Sequence, residues 1–266
     1  MAASWTQTHE APSIDLQDVS LSYGSVTILE SIHALLPSGK ISVILGGSGG
    51  GKSTLLKSIL GLLKPTSGQV LIGGADIYTQ DIHQLRRIRM RMGVLFQDGA
   101  LLGSLPLCEN IALPLREHTA LDEETIETMV RMKLGLVGLD KFMNFFPNQL
   151  SGGMRKRGGL ARALALDPRV LLCDEPTSGL DPITAADLDQ LILELRDAFG
   201  MTIVVVSHDL ASMYAIADHV VVLNKGRMIF QGNVDALSSS DDEFLRQFLD
   251  RQPNRVRHMD AATFAT

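Results

Sequence analysis

Apolar and polar residues alternate along the first part of the chain with the period of β-strands. Residues 14–23 alternate clearly, and residues 27–36 do so less regularly before the turn Pro37-Ser38-Gly39. Because successive side chains of a strand point to opposite faces, this pattern predicts two antiparallel strands. The short β-branched run at residues 41–45 predicts a third strand.

The spacing of apolar residues then changes to that of a helix. Residues 52–63 have apolar side chains three and four positions apart, so a strand, a loop and a helix follow one another. Further strands are predicted at residues 68–73 and 92–96. The basic segment of residues 86–91 lies between them, and a solvated helix face is favoured over a membrane or partner contact by about three to one.

Strand-like runs disappear between residues 97 and 168. Residues 122–137 have apolar side chains at helical spacing, which predicts one helix. Residues 99–119 contain Pro106 and Pro114, so this part is predicted to form short helices and loops rather than one long helix. The sequence thus predicts a helical insertion over residues 98–167.

Strand patterns return after the insertion and alternate with helical ones. The predicted strands are residues 170–173, 203–206, 220–223 and 228–230. Residues 182–199 form a predicted helix that starts with Pro182 and stops before Gly200. This alternation predicts an α/β fold with a parallel sheet and right-handed crossovers.

The predicted elements group into a single domain over residues 14–240. Its core is expected in residues 14–97 and 168–240, on either side of the insertion. Residues 241–266 follow as a short helix, at residues 241–249, and a tail. The tail has too few apolar residues to fill a core, so we expect it to stay unfolded unless something binds it.

Composition and charge exclude several classes of protein. The 266 residues are 45% apolar, ample for a buried core, and the formal net charge is −6, which does not favour nucleic acid as a partner. The two cysteines, Cys108 and Cys173, lie far apart without metal-ligand spacing, so neither a disulfide framework nor a zinc site is predicted. No secretory signal pattern and no apolar run of about 18 to 20 residues occur, so we expect a soluble chain that meets membranes through partners.

The connection after the strand at residues 41–45 is rich in glycine. Nine residues contain the pattern G-x-x-x-x-G-K-[ST]: Gly46, Gly47, Ser48, Gly49, Gly50, Gly51, Lys52, Ser53 and Thr54. Glycine suits such a loop because backbone N–H groups close on phosphate oxygens where no Cβ intervenes. The helix start adds partial positive charge, Lys52 is placed to reach the β- and γ-phosphates, and the Ser53 hydroxyl is placed to ligate magnesium. This phosphate loop alone permits a kinase, a GTPase or a motor.

Two adjacent acids follow the apolar strand at residues 170–173. Asp174 at the strand tip is placed to hold magnesium, and Glu175 is a candidate to polarise an attacking water. Without a phosphate loop, a helix cap with a solvated neighbour would be favoured by about two to one, and the loop reverses these odds. His208 follows a later strand and is placed to donate to a γ-phosphate. Gln97 closes an earlier strand and gives only a weak indication of a magnesium or water contact.

A second anion site is predicted far from the phosphate loop. Ser151 is placed to cap the helix of residues 155–166, and Gly152 and Gly153 expose N–H groups at its positive end. A simple N-cap with a flexible entry is the alternative. One ATP molecule does not readily use two helix N-termini of one subunit as well as its phosphate loop, so a second chain presenting this face is the economical explanation.

In this order, the motifs resemble those of the ATP-binding cassette (ABC) ATPases. The segments that carry the resemblance are the phosphate loop, Gln97, Leu150-Ser151-Gly152-Gly153-Met154, residues 170–175, Ser178-Gly179-Leu180-Asp181 and His208. The resemblance implies a P-loop nucleotide-binding core with an N-terminal antiparallel β subdomain and an inserted α-helical subdomain. It also implies ATP and Mg²⁺ as ligands and a head-to-tail homodimer. Each ATP then lies between the phosphate loop of one chain and Ser151-Gly152-Gly153 of the other.

The same resemblance implies roles for single side chains. It assigns Tyr23 to stacking on adenine, Gln97 to sensing magnesium and a transmembrane partner, Glu175 to general base, Asp181 to cross-talk between sites and His208 to the γ-phosphate. The chain departs from the family at Met154, where many members have Gln. Gly158 and Gly159 also lie inside a predicted helix, at a cost of about 1 kcal/mol each relative to Ala. Neither departure removes a phosphate donor.

Part of the insertion resembles more closely the ATPases of the Mla systems, which maintain outer-membrane lipid asymmetry. The matching stretches are Phe96-Gln97-Asp98-Gly99-Ala100-Leu101 and Pro114-Leu115-Arg116-Glu117-His118-Thr119. This resemblance implies phospholipid transport between the inner and outer membranes of Gram-negative bacteria, energised at the cytoplasmic face of the inner membrane. It implies as partners a transmembrane permease, a periplasmic lipid-binding subunit and a small cytoplasmic STAS-domain protein.

Three alternatives stay open at the level of sequence. A soluble ABC ATPase in DNA repair or on ribosomes usually carries two cassettes, a long coiled coil or added nucleic-acid elements, and these 266 residues contain none of them. A transporter of sugars, amino acids or metals is opposed only by the two insertion stretches. A P-loop kinase of a small metabolite would leave residues 150–154 without a role.

Overall fold

The computed structural model describes residues 10–47 and 49–250, so the predictions for Ser48 and for the tail at residues 251–266 lie outside it. Its strands are β1 (Ile14–Tyr23), β2 (Val26–Leu36), β3 (Ile41–Gly46), β4 (Ser67–Ile72), β5 (Ala75–Asp76), β6 (Met92–Leu95), β7 (Val170–Asp174), β8 (Thr202–Ser207), β9 (His219–Asn224) and β10 (Arg227–Gly232). Its α-helices are α1 (Lys52–Ile59), α2 (Ile82–Met90), α3 (Leu107–His118), α4 (Glu123–Leu136), α5 (Gly152–Ala163), α6 (Pro182–Phe199), α7 (Leu210–Ile216), α8 (Val234–Ser238) and α9 (Glu243–Leu249).

Two sheets form the framework of the molecule. The six-stranded sheet has the order β10-β9-β3-β8-β7-β6, and the four-stranded sheet has the order β2-β1-β4-β5. In the larger sheet, neighbouring strands run parallel from β9 to β6. In the smaller sheet, β1 pairs antiparallel with β2 and β4. This is the predicted architecture of a parallel core with an antiparallel subdomain.

The larger sheet is buried on both faces. Val43 and Leu45 of β3 pack into a core shared with the helices of the insertion and with α6. Ile44, between them, points the other way, into a core shared with α1 and the smaller sheet. Because both faces are covered, the parallel strands are continuous apolar runs rather than alternating ones.

The direction expected for residues 228–230 is wrong, because β10 runs antiparallel to β9. Only Lys225 and Gly226 separate the two strands, and both have positive φ, 48° and 79°. A connection of two residues can join only antiparallel neighbours, and positive φ at both central positions is the conformation of a tight hairpin turn.

The insertion consists of α3, α4 and α5, which lie between β6 and β7. Its opening part agrees with expectation at residues 99–106, which form a loop, but differs after them, since Pro114 lies inside the continuous helix α3. Leu107, Ile111 and Leu115 of α3 are fully buried in the same core as α4 and α5. Burial of these three side chains together stabilises the fold by about 4.5–9 kcal/mol. This is more than the cost of about 3 kcal/mol for one interior proline.

Other elements differ from the predictions in their bounds. α1 ends four residues before the predicted helix end, and α5 begins at Gly152, three residues before its predicted start. The basic segment falls mostly on α2, where Arg86 and Arg87 are exposed, as the favoured interpretation expects. Arg89 instead donates to the carbonyls of Leu60 and Gly61, at 3.2 and 2.6 Å. Among the described residues, no helix combines the length and apolar character that a bilayer span needs.

Candidate functional site

The carboxyl ends of the parallel strands bring the predicted site residues to one edge of the larger sheet. β3 ends at Gly46 and continues into the phosphate loop, and β7 ends at Asp174. Both strands pair with β8, which ends at Ser207, directly before His208. The crevice outside the carboxyl ends of such strands is where α/β proteins bind ligands. Residues from three separate parts of the chain are therefore neighbours here.

The phosphate loop is fixed by contacts to its backbone. Nζ of Lys52 donates hydrogen bonds to the carbonyls of Gly46 (2.9 Å) and Gly47 (3.1 Å). Gly51 caps α1 with φ 90°, and a Cβ at this position would lie 2.5 Å from Cδ2 of Leu29. Only glycine fits, because the residue needs both a left-handed backbone and the space. No side chain caps the start of α1, so its first N–H groups are left for a ligand.

The other loop residues complete this cradle. Gly49 has φ 75°, and the N–H of Gly50 donates to the carbonyl of Gly47 at 3.1 Å. Thr54 lies in the first turn of α1 and is half-buried. The structure thus places the described members of the predicted phosphate loop as one turn at the start of a helix, the arrangement that binds phosphate.

Ser53 and Asp174 form an oxygen-rich pair beside the loop. Oγ of Ser53 donates to Oδ1 of Asp174 at 3.0 Å. Burial raises the pKa of Asp174, while the Ser53 hydrogen bond lowers it. Mg²⁺ prefers such oxygen ligands, keeps several waters and takes only one or two protein ligands beside substrate phosphates. The pair therefore fits magnesium, and the site needs no larger cluster, of which the described residues contain none.

Glu175 lies between two nitrogen-bearing side chains. Its Oε1 lies 3.8 Å from Nζ of Lys52, and its Oε2 lies 2.7 Å from Nδ1 of His208. The carboxylate side chain is 14% exposed, whereas that of His208 is 58% exposed. Glu175 also has a left-handed backbone, φ 51°, and its N–H donates to the carbonyl of Val206 at 2.8 Å. A carboxylate held in this way can accept a proton from a water that attacks a phosphate on the loop.

Tyr23 and Gln97 lie at the margins of this site. Tyr23 ends β1 and is 47% exposed. Leu21, two residues earlier, pairs with Leu29, the residue that packs on Gly51, so the hairpin lies beside the phosphate loop. Gln97 follows β6 and is exposed. Stacking of Tyr23 on adenine and the magnesium contact of Gln97 stay predictions.

The turn at Ser151 lies against the beginning of α6. Oγ of Ser151 caps α5 by accepting from the N–H of Met154 at 3.2 Å. A Cβ on Gly153 would lie 2.5 Å from Cγ2 of Thr184, so glycine lets α5 approach α6 closely. Asp181 caps α6 by accepting from the N–H groups of Ile183 and Thr184 at 3.1 and 3.0 Å. The hydrogen bonds from Thr184 lower the pKa of Asp181.

Sequence reasoning missed two basic residues of α5 that donate to backbone carbonyls, one beside Glu175 and one in the segment after Gln97. Nζ of Lys156 donates to the carbonyls of Glu175 and Ser178, and the guanidinium of Arg162 donates to those of Gly99 and Ala100. The helical spacing of α5 could have indicated that Lys156 is buried. Lys156 lies three residues after Gly153 and four before Leu160, so it shares their buried face of α5.

Comparison with known proteins gives consistent results. Residues 29–178 match the protein family described as ABC transporter. The chain is 44% identical over 237 residues to the intermembrane phospholipid transport system ATP-binding protein MlaF of Escherichia coli (strain K12), covering 89% of this chain and 88% of that protein. It is 46% identical over 237 residues to the probable ribonucleotide transport ATP-binding protein mkl of Mycobacterium tuberculosis (strain ATCC 25618 / H37Rv). That alignment covers 89% of this chain but only 66% of the mycobacterial protein, which is longer.

The fold is also similar to solved structures. One is the dimeric structure of a post-hydrolysis state of the ATP-binding cassette MJ0796 bound to ADP and Pi. It has a TM-score of 0.76 and 33% sequence identity, and the match covers 83% of this chain and 98% of that chain. The comparison confirms the fold predicted from the sequence.

Proposed function

Because this chain belongs to the ABC transporter family, we propose that it is the ATP-hydrolysing subunit of a transporter that moves phospholipids between the inner and outer membranes of a Gram-negative bacterium. The observation that carries the ATPase assignment is the meeting of Lys52, Asp174, Glu175 and His208 at one sheet edge. The phospholipid assignment is supported by the identity to MlaF, which extends over 88% of that protein.

The residues at this sheet edge have different roles in the hydrolysis of ATP. The N–H groups of the phosphate loop and of the start of α1 bind the β- and γ-phosphates, together with the ammonium group of Lys52. Glu175 accepts the proton of the water that attacks the γ-phosphate, and His208 donates to a γ-phosphate oxygen. Because phosphoryl transfer needs little covalent chemistry from the protein, the rate depends on this placement and on charge neutralisation.

Ser53 and Asp174 are the residues that would hold Mg²⁺, and Gln97 lies at the same sheet edge. Held there, Mg²⁺ would supply positive charge that offsets the negative charge developing on the phosphate oxygens. A cation held there would also favour the ionised form of Asp174 and so oppose the burial that raises its pKa.

A head-to-tail dimer completes each site. Ser151 and Gly152 are not fully buried, and they lie at the positive end of α5. Each of two ATP molecules then lies between the phosphate loop of one chain and Ser151, Gly152 and Gly153 of the other, and Asp181 serves in cross-talk between the two sites. The dimeric MJ0796 structure, bound to ADP and Pi, supports this assembly.

A groove beside Gln97 is suited to a membrane partner. It measures about 500 Å³ and is lined by side chains of α2, α3, β6 and α5. Ile82 at its rim is 70% exposed and Phe96 is 43% exposed. Arg86 lies with them. An exposed apolar patch rimmed by charge is typical of a protein interface, so the permease binds here.

The groove is joined mechanically to the site. Arg162 lines it and donates to the carbonyls of Gly99 and Ala100, two and three residues after Gln97. A change in the position of α5 therefore reaches both the groove and the segment after Gln97. Closure of the dimer is transmitted to the permease by this route, and the chain works at the cytoplasmic face of the inner membrane. A periplasmic lipid-binding subunit and a small cytoplasmic STAS-domain protein complete the assembly.

Purification from native membranes tests the assignment. Tagged chain is extracted in mild detergent, and the co-purifying proteins and lipids are identified by mass spectrometry. A membrane permease and glycerophospholipid are expected. Ile82→Glu places a charge in the groove and is expected to lose the permease. Leu62→Glu is the matched control, because Leu62 is 61% exposed and lies outside the groove.

The same preparation separates the rival functions. Co-purification with ribosomes or nucleic acid in place of membrane proteins would contradict a transport role. The name of mkl makes ribonucleotides the second candidate cargo. Proteoliposomes containing the complex are therefore assayed for ATP-dependent transfer of labelled phospholipid and for uptake of labelled uridine monophosphate. Uptake of the nucleotide without lipid transfer would favour the second candidate and leave the ATPase assignment intact.

A further inference from the structure

Lys156 is a buried lysine on α5 that holds two backbone carbonyls. Only 5% of the residue is exposed. Its Nζ donates to the carbonyl of Glu175 at 3.1 Å and to that of Ser178 at 2.6 Å. Burial lowers the pKa of its ammonium group. A buried ammonium group is stable only when hydrogen bonds replace those it made with water. The two carbonyls therefore fix the position of the Lys156 ammonium group.

The two carbonyls belong to the turn that places the general base. Glu175 has a left-handed backbone, which is strained for a residue with a side chain. The N–H of Ser178 donates to the carbonyl of Glu175 at 3.2 Å, closing the turn. Lys156 bonds to the first and last residues of this turn. It therefore fixes the backbone from which the Glu175 carboxylate projects.

The other end of the same helix faces outward. Ser151 caps α5 five residues before Lys156, and α5 packs against α6 where Gly153 meets Thr184. An α-helix rises about 1.5 Å per residue, so Ser151 and Lys156 are about 7.5 Å apart along its axis. They are connected by continuous hydrogen-bonded backbone. A displacement of Ser151 therefore also moves Lys156.

We propose that Lys156 is a positioning residue that couples the two ATP sites of the dimer. It passes the engagement of Ser151 with ATP on the partner chain to the Glu175 of its own site. The inference rests on the proposed dimeric ATPase and adds a physical connection within each chain. Lys156 touches no substrate and acts only through the position of Glu175.

Steady-state hydrolysis by the complex with its permease tests this role. Lys156→Met keeps an unbranched side chain that is one atom shorter but removes the hydrogen-bond donors. We expect kcat to fall about 10- to 100-fold, because small misplacements of a catalytic group have effects of this size. The Hill coefficient for ATP is expected to fall from above 1 to 1, while the affinity of the isolated full chain for a fluorescent ATP analogue stays within twofold. Lys141→Met is the matched control, because Lys141 is exposed, and it is expected to behave as the wild type.

A second variant covers a failure to fold. Lys156→Gln retains an amide donor and is expected to fold and to give an intermediate Hill coefficient. A wild-type Hill coefficient in whichever variants fold would overturn the coupling role and leave the proposed function standing. A wild-type complex that hydrolyses ATP as a monomer, or with a Hill coefficient of 1, would overturn this inference too, and monomeric turnover would also remove the proposed dimer.

Discussion

Nδ1 of His208 lies 2.7 Å from Oε2 of Glu175, so the two side chains meet at hydrogen-bond distance. The other carboxylate oxygen lies 3.8 Å from Nζ of Lys52. The proposed general base therefore lies between the ammonium group of Lys52 and the imidazole of His208. These three groups follow β3, β7 and β8, and the order of these strands in the parallel sheet brings them to one edge.

Replacing Glu175 separates binding from turnover. Glu175→Gln keeps the size of the side chain but removes its basicity, so we expect ATP binding to persist and hydrolysis to be abolished. Closed dimer is expected to accumulate, which native mass spectrometry with ATP detects. Glu117→Gln, an exposed change in α3, serves as the control. Normal hydrolysis by Glu175→Gln would show that another group is the base.

Replacing His208 tests the donor beside the base. His208→Ala removes the proposed hydrogen-bond donor to the γ-phosphate, and the loss of such a donor reduces kcat about 10²- to 10³-fold. The His208 side chain is 58% exposed, so the free energy of unfolding should change by no more than about 0.5 kcal/mol. ATP turnover and urea denaturation of the same preparation measure both quantities. A large loss of stability with little loss of turnover would assign His208 a structural role instead.

The positions of the phosphate loop, Asp174 and His208 at one sheet edge could be predicted from the sequence, because each of them lies at a strand end, whereas their roles stay predictions. The phosphate loop, Asp174 and His208 each follow a short apolar run, and parallel strands place such ends at one edge. Lys156 was missed because its contacts join α5 to a distant turn, and because charged residues are seldom buried. The antiparallel direction of β10 was not predicted, although a connection of only two residues, Lys225-Gly226, indicates a hairpin. Local patterns in the sequence thus predicted the helices and strands, whereas the contacts between them became known only from the three-dimensional structure.

Two glycines in helices of the insertion are expected to respond in opposite ways to alanine. A Cβ on Gly159 would lie 2.7 Å from the carbonyl oxygen of Gly99 and 2.8 Å from its Cα. Gly159→Ala gains about 1 kcal/mol of helix propensity but forces α5 away from residue 99, which costs about 1–3 kcal/mol. It should reduce both stability and ATP turnover, because residue 99 lies two positions after Gln97.

Gly135 is the control for this change, since it lies on α4 and a Cβ there meets nothing within 4 Å. Gly135→Ala should raise the free energy of unfolding by up to about 1 kcal/mol and leave turnover unchanged. Chemical denaturation and ATPase assays of both variants decide the matter. Equal stabilisation by the two substitutions would contradict the close approach of α5 to residue 99.

A buried carboxyl group links α6 to α7 and makes stability depend on pH. Oδ1 of Asp189 accepts from Oγ of Ser212 at 2.7 Å, and only 5% of Asp189 is exposed. Burial raises the pKa of Asp189 from 3.8 to about 6; the charge of Asp209 adds to this, while the Ser212 hydrogen bond opposes it. An acid with a raised pKa keeps its proton in the folded state at pH values where the unfolded chain has lost it. Its contribution to the free energy of unfolding therefore falls between about pH 4 and pH 6.

Asp189→Asn removes this ionisation and should flatten that part of the pH profile. Relative to the wild type, the variant should gain up to about 3 kcal/mol in its free energy of unfolding on going from pH 4 to pH 8. The gain with pH is the readout, because a newly buried amide adds an offset that does not depend on pH. Asp187→Asn on the same helix is the control, since the Asp187 side chain is 62% exposed. Urea denaturation from pH 4 to pH 8 measures the profiles, and a difference from wild type that stays constant would show that Asp189 does not titrate in this range.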